Sequence, residues 1–214
     1  MKPTGRTFYG PTGTLMEMVS EKKLYMAISF DREQRHHPAL EAALEALPFM
    51  GDPQVEGIAP LVDHDVKRGL YVYDTGGVWP LVEVIRLSKK HGKLPSPRAA
   101  LEFMRDGAVM LEEAYLAGVL PNHGGLSPWR AMLSDTGRLH IIGYGLPQID
   151  VLPDFEGKPD VDSFRYAPPE RLEQEEEDFS SDILSLSLLG FEFLMGEPLY
   201  DGDVEEVRLQ ASRA

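Results

Sequence analysis

The chain changes character once, at Asp74-Thr75-Gly76-Gly77, and no other feature constrains its fold as much. Ahead of the break, short runs of aromatic and β-branched residues recur between turn residues, the pattern of half-buried strands. Arg6 to Val19 alternates loosely around Gly10 and Gly13, and Leu24 to Phe30 is a second run between charged flanks. Ile58 to Leu61 and Leu70 to Tyr73 read as two more strands, parted by a charged turn from Asp63 to Arg68. One helix is interposed, Pro38 to Leu47, with Leu40, Leu44 and Leu47 at i, i+4 and i+7 and its end at Gly51-Asp52-Pro53. Behind the break the period lengthens to that of helices. Leu101, Met104, Ala108, Leu111 and Tyr115 share one helical face, with Pro97 as start signal and Gly118 as stop. Strands at Ala131 to Leu133 and Leu139 to Ile142 flank the turn Asp135-Thr136-Gly137, and a loop rich in Pro and Asp runs over 143–169. Asp182 to Met195 is apolar almost all round, as a helix buried on every side would be, and Asp203 to Gln210 suits one short helix more.

Charge narrows the function classes. The formal net charge is −14 over 214 residues, which argues against binding nucleic acid or an anionic membrane, since both need a positive face. With no Cys, disulfides, thiolate metal sites and thiol catalysis are excluded. No run approaches the length of a spanning helix, and Met1 to Gly10 lacks the apolar stretch of a signal peptide, so a cytoplasmic location is expected. The acidic run Glu173 to Asp178 reads as a solvated loop face. His36-His37 are adjacent, not one turn apart, and His64 sits in the charged turn, so no metal site is expected.

Several ordered landmarks resemble those of eukaryotic-like protein kinases. His123-Gly124-Gly125-Leu126 through Arg130 stands where the catalytic loop H-R-D-L-x-x-x-N belongs, and Gly143-Tyr144-Gly145 where D-F-G belongs. Tyr166-Ala167-Pro168-Pro169-Glu170 is similar to the A-P-E end of the activation segment. Asp182 opens a run like the large buried helix that follows, and Met26-Ala27-Ile28-Ser29 takes the place of V-A-I-K. The resemblance covers about residues 5 to 205. It implies an α+β fold of two lobes: a strand-rich N-lobe over residues 1–75 and a mainly helical C-lobe over 76–214 that lacks its last helices. The Gly- and Pro-rich, Cys-free composition leans bacterial.

Carried over position by position, the resemblance implies a degenerate site. Ser29 replaces the phosphate-binding Lys, Gly125 the catalytic Asp, Arg130 the metal-binding Asn and Gly143 the D-F-G Asp. Glycine can neither ligate a metal nor accept a proton through a side chain, so the expectation is a pseudokinase rather than an enzyme. Lys23 and Arg130 are the candidate phosphate contacts, and Glu41 and Glu45 have no Lys at position 29 to pair with. The loop Tyr9-Gly10-Pro11-Thr12-Gly13-Thr14 has the wrong spacing for G-x-G-x-x-G, and Pro11 removes a backbone donor, so ATP binding is doubtful and no cofactor is expected. His123, Tyr144, Gly145, Glu170 and Asp182 carry structural roles in this reading: His123 packs between the two loops, Asp182 accepts loop N–H groups, and Glu170 pairs with an Arg from a later helix. Around Ser163, the carboxylates Asp150, Asp154, Glu156, Asp160 and Asp162 read as solvated, and Gly124 replaces the Arg that would read a phosphate there.

Three readings follow. The first is a scaffolding or regulatory module that meets a protein partner, or a second copy, through the incompletely covered C-lobe. A second is a nucleotide sensor or atypical kinase-like transferase with a rebuilt site. The third is a structural oligomerisation domain.

Overall fold

The computed structural model describes residues 1–11, 13–49, 54–118 and 120–213. The expected helix end at Gly51-Asp52-Pro53, and Thr12 of the first turn, lie outside the described residues. Eight strands and eight helices run in the order β1 (Lys2–Gly10), β2 (Gly13–Ser20), β3 (Lys23–Ser29), α1 (Arg32–Arg35), α2 (Pro38–Ala46), β4 (Leu61–Asp65), β5 (Leu70–Tyr73), β6 (Val78–Pro80), α3 (Leu81–His91), α4 (Pro97–Leu116), β7 (Ala131–Ser134), β8 (Leu139–Ile141), α5 (Val161–Phe164), α6 (Pro169–Glu173), α7 (Phe179–Met195) and α8 (Val204–Ala211), among the described residues. The chain is therefore α+β, strand-rich in its first third and mainly helical afterwards, which is compatible with a kinase-like fold.

The first sheet is antiparallel with strand order β1-β2-β3-β5-β4. Its inner face shares a core with Leu40 and Leu44 of α2 and, from far along the chain, with Trp129, Met132, Ile142, Leu146 and Ile149. A second, three-stranded sheet has the order β6-β7-β8 and lies in the helical part, whose core joins Leu81, Phe103, Leu111, Leu126, Ile141 and Leu189.

Three expectations change. Ile58 forms no strand: it makes a single parallel bridge to Ile141, secured by Ala59 N–H to Ile141 O (2.9 Å) and Ile141 N–H to Gly57 O (2.8 Å). The strand begins at Leu61 and, after an irregularity between Leu61 and Asp63, runs through Asp63, His64 and Asp65, residues expected to form a turn, because β5 pairs with each of them. Helix α3 and strand β6 had no counterpart in the sequence reading. The signals for α3 were present in Leu81 and Ile85 one turn apart, cations in its last turn, and Gly92 just beyond it in the left-handed conformation.

The third change concerns α4, where the buried face is turned by about one residue, roughly 100°. Ser96 caps the helix by accepting from Ala99 N–H at 3.2 Å. Its buried residues are Ala100, Phe103, Gly107, Met110, Leu111 and Ala114. Leu101 is 66% exposed and Tyr115 46%. The small residues Ala100, Gly107 and Ala114 are what let α7 and β8 approach, and a reading weighted toward large side chains passes over them. Helix α7 begins at the cap Asp178, whose carboxylate accepts from Ser180 N–H at 2.7 Å, and buries Ser181, Asp182, Ser185, Leu186, Leu188, Leu189 and Gly190.

Truncation separates the two faces of α4. Phe103→Ala should cost about 3–5 kcal/mol, whereas Leu101→Ala should change stability by less than about 0.5 kcal/mol. Equal losses in urea denaturation would contradict this orientation of the helix.

Candidate functional site

The residues singled out by motif converge on the loops between α4 and α6. Asp182, in the first turn of α7, is 1% exposed; its Oδ2 accepts from His123 N–H at 2.5 Å, and its Oδ1 has no hydrogen-bond partner among the described residues. Burial pushes its pKa up to about 6 against that hydrogen bond. His123 is fully buried. Its Nδ1 accepts from Gly125 N–H at 3.2 Å, which places the ring proton on Nε2, donated to Ile142 O at 3.1 Å. Burial, with Arg130 and Arg171 nearby, holds its pKa well below the ordinary value, so the ring is neutral. Tyr144 meets the imidazole edge-on, with centroids 5.7 Å apart, and Gly145 N–H donates to His123 O at 3.0 Å. Gly143 and Gly145 both hold left-handed backbone, φ 73° and 80°, which turns the 143–146 segment back onto the His123 loop.

Arg130 stands at the centre. It is 2% exposed, and its Nη1 donates to the carbonyl of Leu146. Nη2 finds no hydrogen-bond partner among the described residues, and burial brings the guanidinium pKa down to about 10, so it remains charged at neutral pH. The guanidinium lies against Gly125: a β-carbon there would meet Nη1 at 2.6 Å and Cζ at 3.0 Å. A β-carbon on Gly143 would lie 3.8 Å from Arg130 Cδ and 3.5 Å from Ile28 Cδ1. Gly125 and Gly143 thus flank the Arg130 side chain, Gly125 against its guanidinium and Gly143 near its Cδ.

Ser29 and Lys23 occupy opposite ends of β3, about 20 Å apart for six residues of strand. Ser29 pairs with Thr14 and Leu70 at the end nearer Gly143, while Lys23 bonds the carboxylate of Asp74. The two candidate phosphate contacts, Lys23 and Arg130, are therefore not brought to one site: Lys23 is tied to the chain break and Arg130 is interior. Glu41 and Glu45 are exposed on α2.

Two further expectations are corrected. Glu170 pairs with no Arg, and its Oε2 has no hydrogen-bond partner among the described residues. Its neighbour Arg171 takes the ion pair instead, with Nε and Nη2 on Glu177 at 3.0 and 2.6 Å and Nη1 on Gln148 Oε1 at 2.9 Å. Glu177 thereby leaves the solvated acidic run. Asp150 is also not a solvated loop acid: it is buried, bonded to the hydroxyl of Ser163, and raised to about 6 by burial. Its apolar neighbours Ile149 and Val151, both buried, were the signal available in the sequence. His37 caps α2 by accepting from Ala39 N–H at 3.3 Å and faces Asp154 at 3.4 Å. Among the described residues no cluster of three or more His, Asp or Glu could hold a metal, and no helix is long and apolar enough to cross a membrane.

No family model matches the chain. Over 116 residues it is 27% identical to the serine/threonine-protein kinase PknA of Mycobacterium tuberculosis and of Mycobacterium bovis, covering 54% of this chain and 26% of the relative. Over 138 residues it is 28% identical to Aurora kinase B of Xenopus tropicalis, covering 64% and 36%. The chain has a kinase-like relationship. The matched stretches span only about a quarter to a third of those relatives. These names correct the expectation that the chain is not an enzyme: the relatives are protein kinases, which points to a kinase-like enzyme. The four motif positions speak to one arrangement of phosphoryl-transfer groups, and function is decided by the whole site rather than by fold or motif alone.

Two measurements test Asp182. Asp182→Ala leaves the buried His123 N–H without its acceptor and should cost about 3 kcal/mol in chemical denaturation; a loss below about 1 kcal/mol would refute the anchor. Asp182→Asn tests the titration. A carboxyl raised to about 6 in the folded state, above its ordinary value of 3.8, favours folding most below the unfolded pKa and loses that contribution as pH rises through 6. Buried neutral His123 acts in the opposite sense, but it cancels when variant and wild type are compared. Relative to wild type, Asp182→Asn should gain about 2 kcal/mol between pH 4 and pH 7. A difference that does not vary with pH would exclude the raised carboxyl.

Proposed function

We propose that this kinase-like chain works as a regulatory or scaffolding module that binds protein. The observation that carries this reading is Arg130: buried, with its guanidinium packed on Gly125 and its Cδ near Gly143, its side chain takes up space between two positions of the candidate site. Meanwhile a groove of about 360 Å³ between α4 and α7 presents an almost wholly apolar lining that includes Leu101, Met104, Phe191 and Leu194. An open apolar surface on a chain whose candidate site is occupied by its own side chain favours a partner, or a second copy, over a small ligand. No cofactor is required by this reading.

A second reading is favoured by the names of the relatives: a kinase-like transferase whose phosphate contact is Arg130. A nucleotide at 100 times its Kd adds about 2.7 kcal/mol, so thermal melting with ATP, with and without Mg²⁺, separates the two. The module reading expects no shift beyond a degree and association at high micromolar concentration that Leu101→Asp abolishes in sedimentation. A clear shift, with phosphate transfer lost in Arg130→Ala, would replace it with the transferase.

A further inference from the structure

The groove between α4 and α7 has a closed floor and a definite length. Gly190 lies against Met104, where a β-carbon would meet Cγ at 2.4 Å, and Gly107 lies against Leu186, so the two helices run antiparallel in close contact. Pro97 and Leu194 therefore fall at one end of the groove, Met104 and Ser187 at the other. From Pro97 to Met104 is about 10 Å, or two helical turns. The Ser187 hydroxyl donates to Ile183 O of its own helix at 2.8 Å, so it asks no hydrogen bond of an occupant. Helix α8 packs against α5, burying Val207 and Ala211 there, and leaves Leu101 66% and Met195 53% exposed.

The rim of this groove carries the charge opposite to that of the whole chain. Against a formal net charge of −14, the stretch from Val84 to Arg105 holds six cations (Arg86, Lys89, Lys90, Lys93, Arg98 and Arg105) and one carboxylate, Glu102. Arg98 stands three residues before Leu101 and Arg105 four after it, on the same face of α4. Their side chains are 88% and 68% exposed, and their links to Glu102 and Asp106 are surface pairs, which hold weakly against a competing carboxylate. Arg98 is also set against its own helix. It lies in the first turn of α4, where no acid is present and where the helix N-terminus favours anions. A cation that costs the helix stability points to a role outside it.

We infer that the α4–α7 groove receives an acidic amphipathic helix of a partner protein. Apolar side chains at i, i+3 or i+4, and i+7 of that helix span the two turns of the groove beside Leu101, and flanking Asp or Glu residues meet Arg98 and Arg105. This names the partner for the protein-binding reading and rests on it. A second copy is the weaker occupant: two-fold pairing sets each rim against an identical one, and like-charged rims hold such a contact to high micromolar concentration.

Two labelled helical peptides with the same leucine spacing test it, one carrying Glu and the other Lys at the flanking positions. Fluorescence anisotropy with the full chain should show the Glu peptide binding about tenfold tighter or more at about 50 mM salt. The gap should fall below about threefold at about 500 mM, where the rim charges are screened. Leu101→Asn, which adds no charge, should weaken the Glu peptide about tenfold. Arg98→Glu combined with Arg105→Glu should reverse the preference between the peptides. All three positions are exposed, so these variants keep the fold, which circular dichroism checks. Equal binding of the two peptides, still weakened by Leu101→Asn, overturns the acidic occupant and leaves a protein-binding groove. If neither peptide binds and the wild type associates through Leu101, the groove belongs to a second copy and the inference falls alone. If neither binds and the wild type stays monomeric, the protein-binding reading falls with it.

Discussion

The carboxylate of Asp182 is the contact on which the rest of the site depends. It rises from the first turn of α7 and receives the N–H of His123. A charged or half-charged group buried that deeply is costly unless bonded, so the loop is held where His123 N–H meets Oδ2. Once His123 is fixed, its ring spans from Gly125 N–H to Ile142 O and sets the distance between the loop and the segment after β8. The return of the 143–146 segment then brings the Leu146 carbonyl to Arg130. Helix, loop and segment are joined by polar contacts in series, inside a shell of Leu126, Ile141 and Leu189.

This arrangement accounts for the polar interior. Asp150 with Ser163, and Arg171 with Glu177 and Gln148, are buried partners drawn from a stretch without long helices or strands. Regular structure satisfies its backbone through its own ladder. An irregular segment lacks one and needs side chains to hold it, which is why acids and amides are found here at depth.

The elements with a strong period were legible in the sequence: β2, β3, α2, α7 and the β7–β8 hairpin lie where alternation, caps and turn residues put them. Legibility failed where the burial signal is small or distant. The face of α4 is set by Ala100, Gly107 and Ala114, whose value lies in close approach rather than in apolar area. Asp63 and Asp65 look like turn residues, yet they belong to β4 because β5 pairs with them. At the site, local motif order pointed to His123, Arg130 and Asp182. It did not find that Arg171 rather than Glu170 carries the ion pair, or that Trp129 reaches Tyr9, since both depend on which segments meet in space.

The contact between Arg130 and Gly125 has a consequence for descent. With the guanidinium seated on the Leu146 carbonyl, position 125 has room for hydrogen and no carbon, so the two positions cannot drift separately. A lineage that acquires a side chain at 125 while retaining Arg130 must first unseat a buried cation, and one that loses Arg130 while retaining Gly125 inherits a void. Both single steps run downhill in stability, and reversal requires the pair to change together. Such an interlock acts as an evolutionary ratchet, keeping this interior as it is even under selection for a different one.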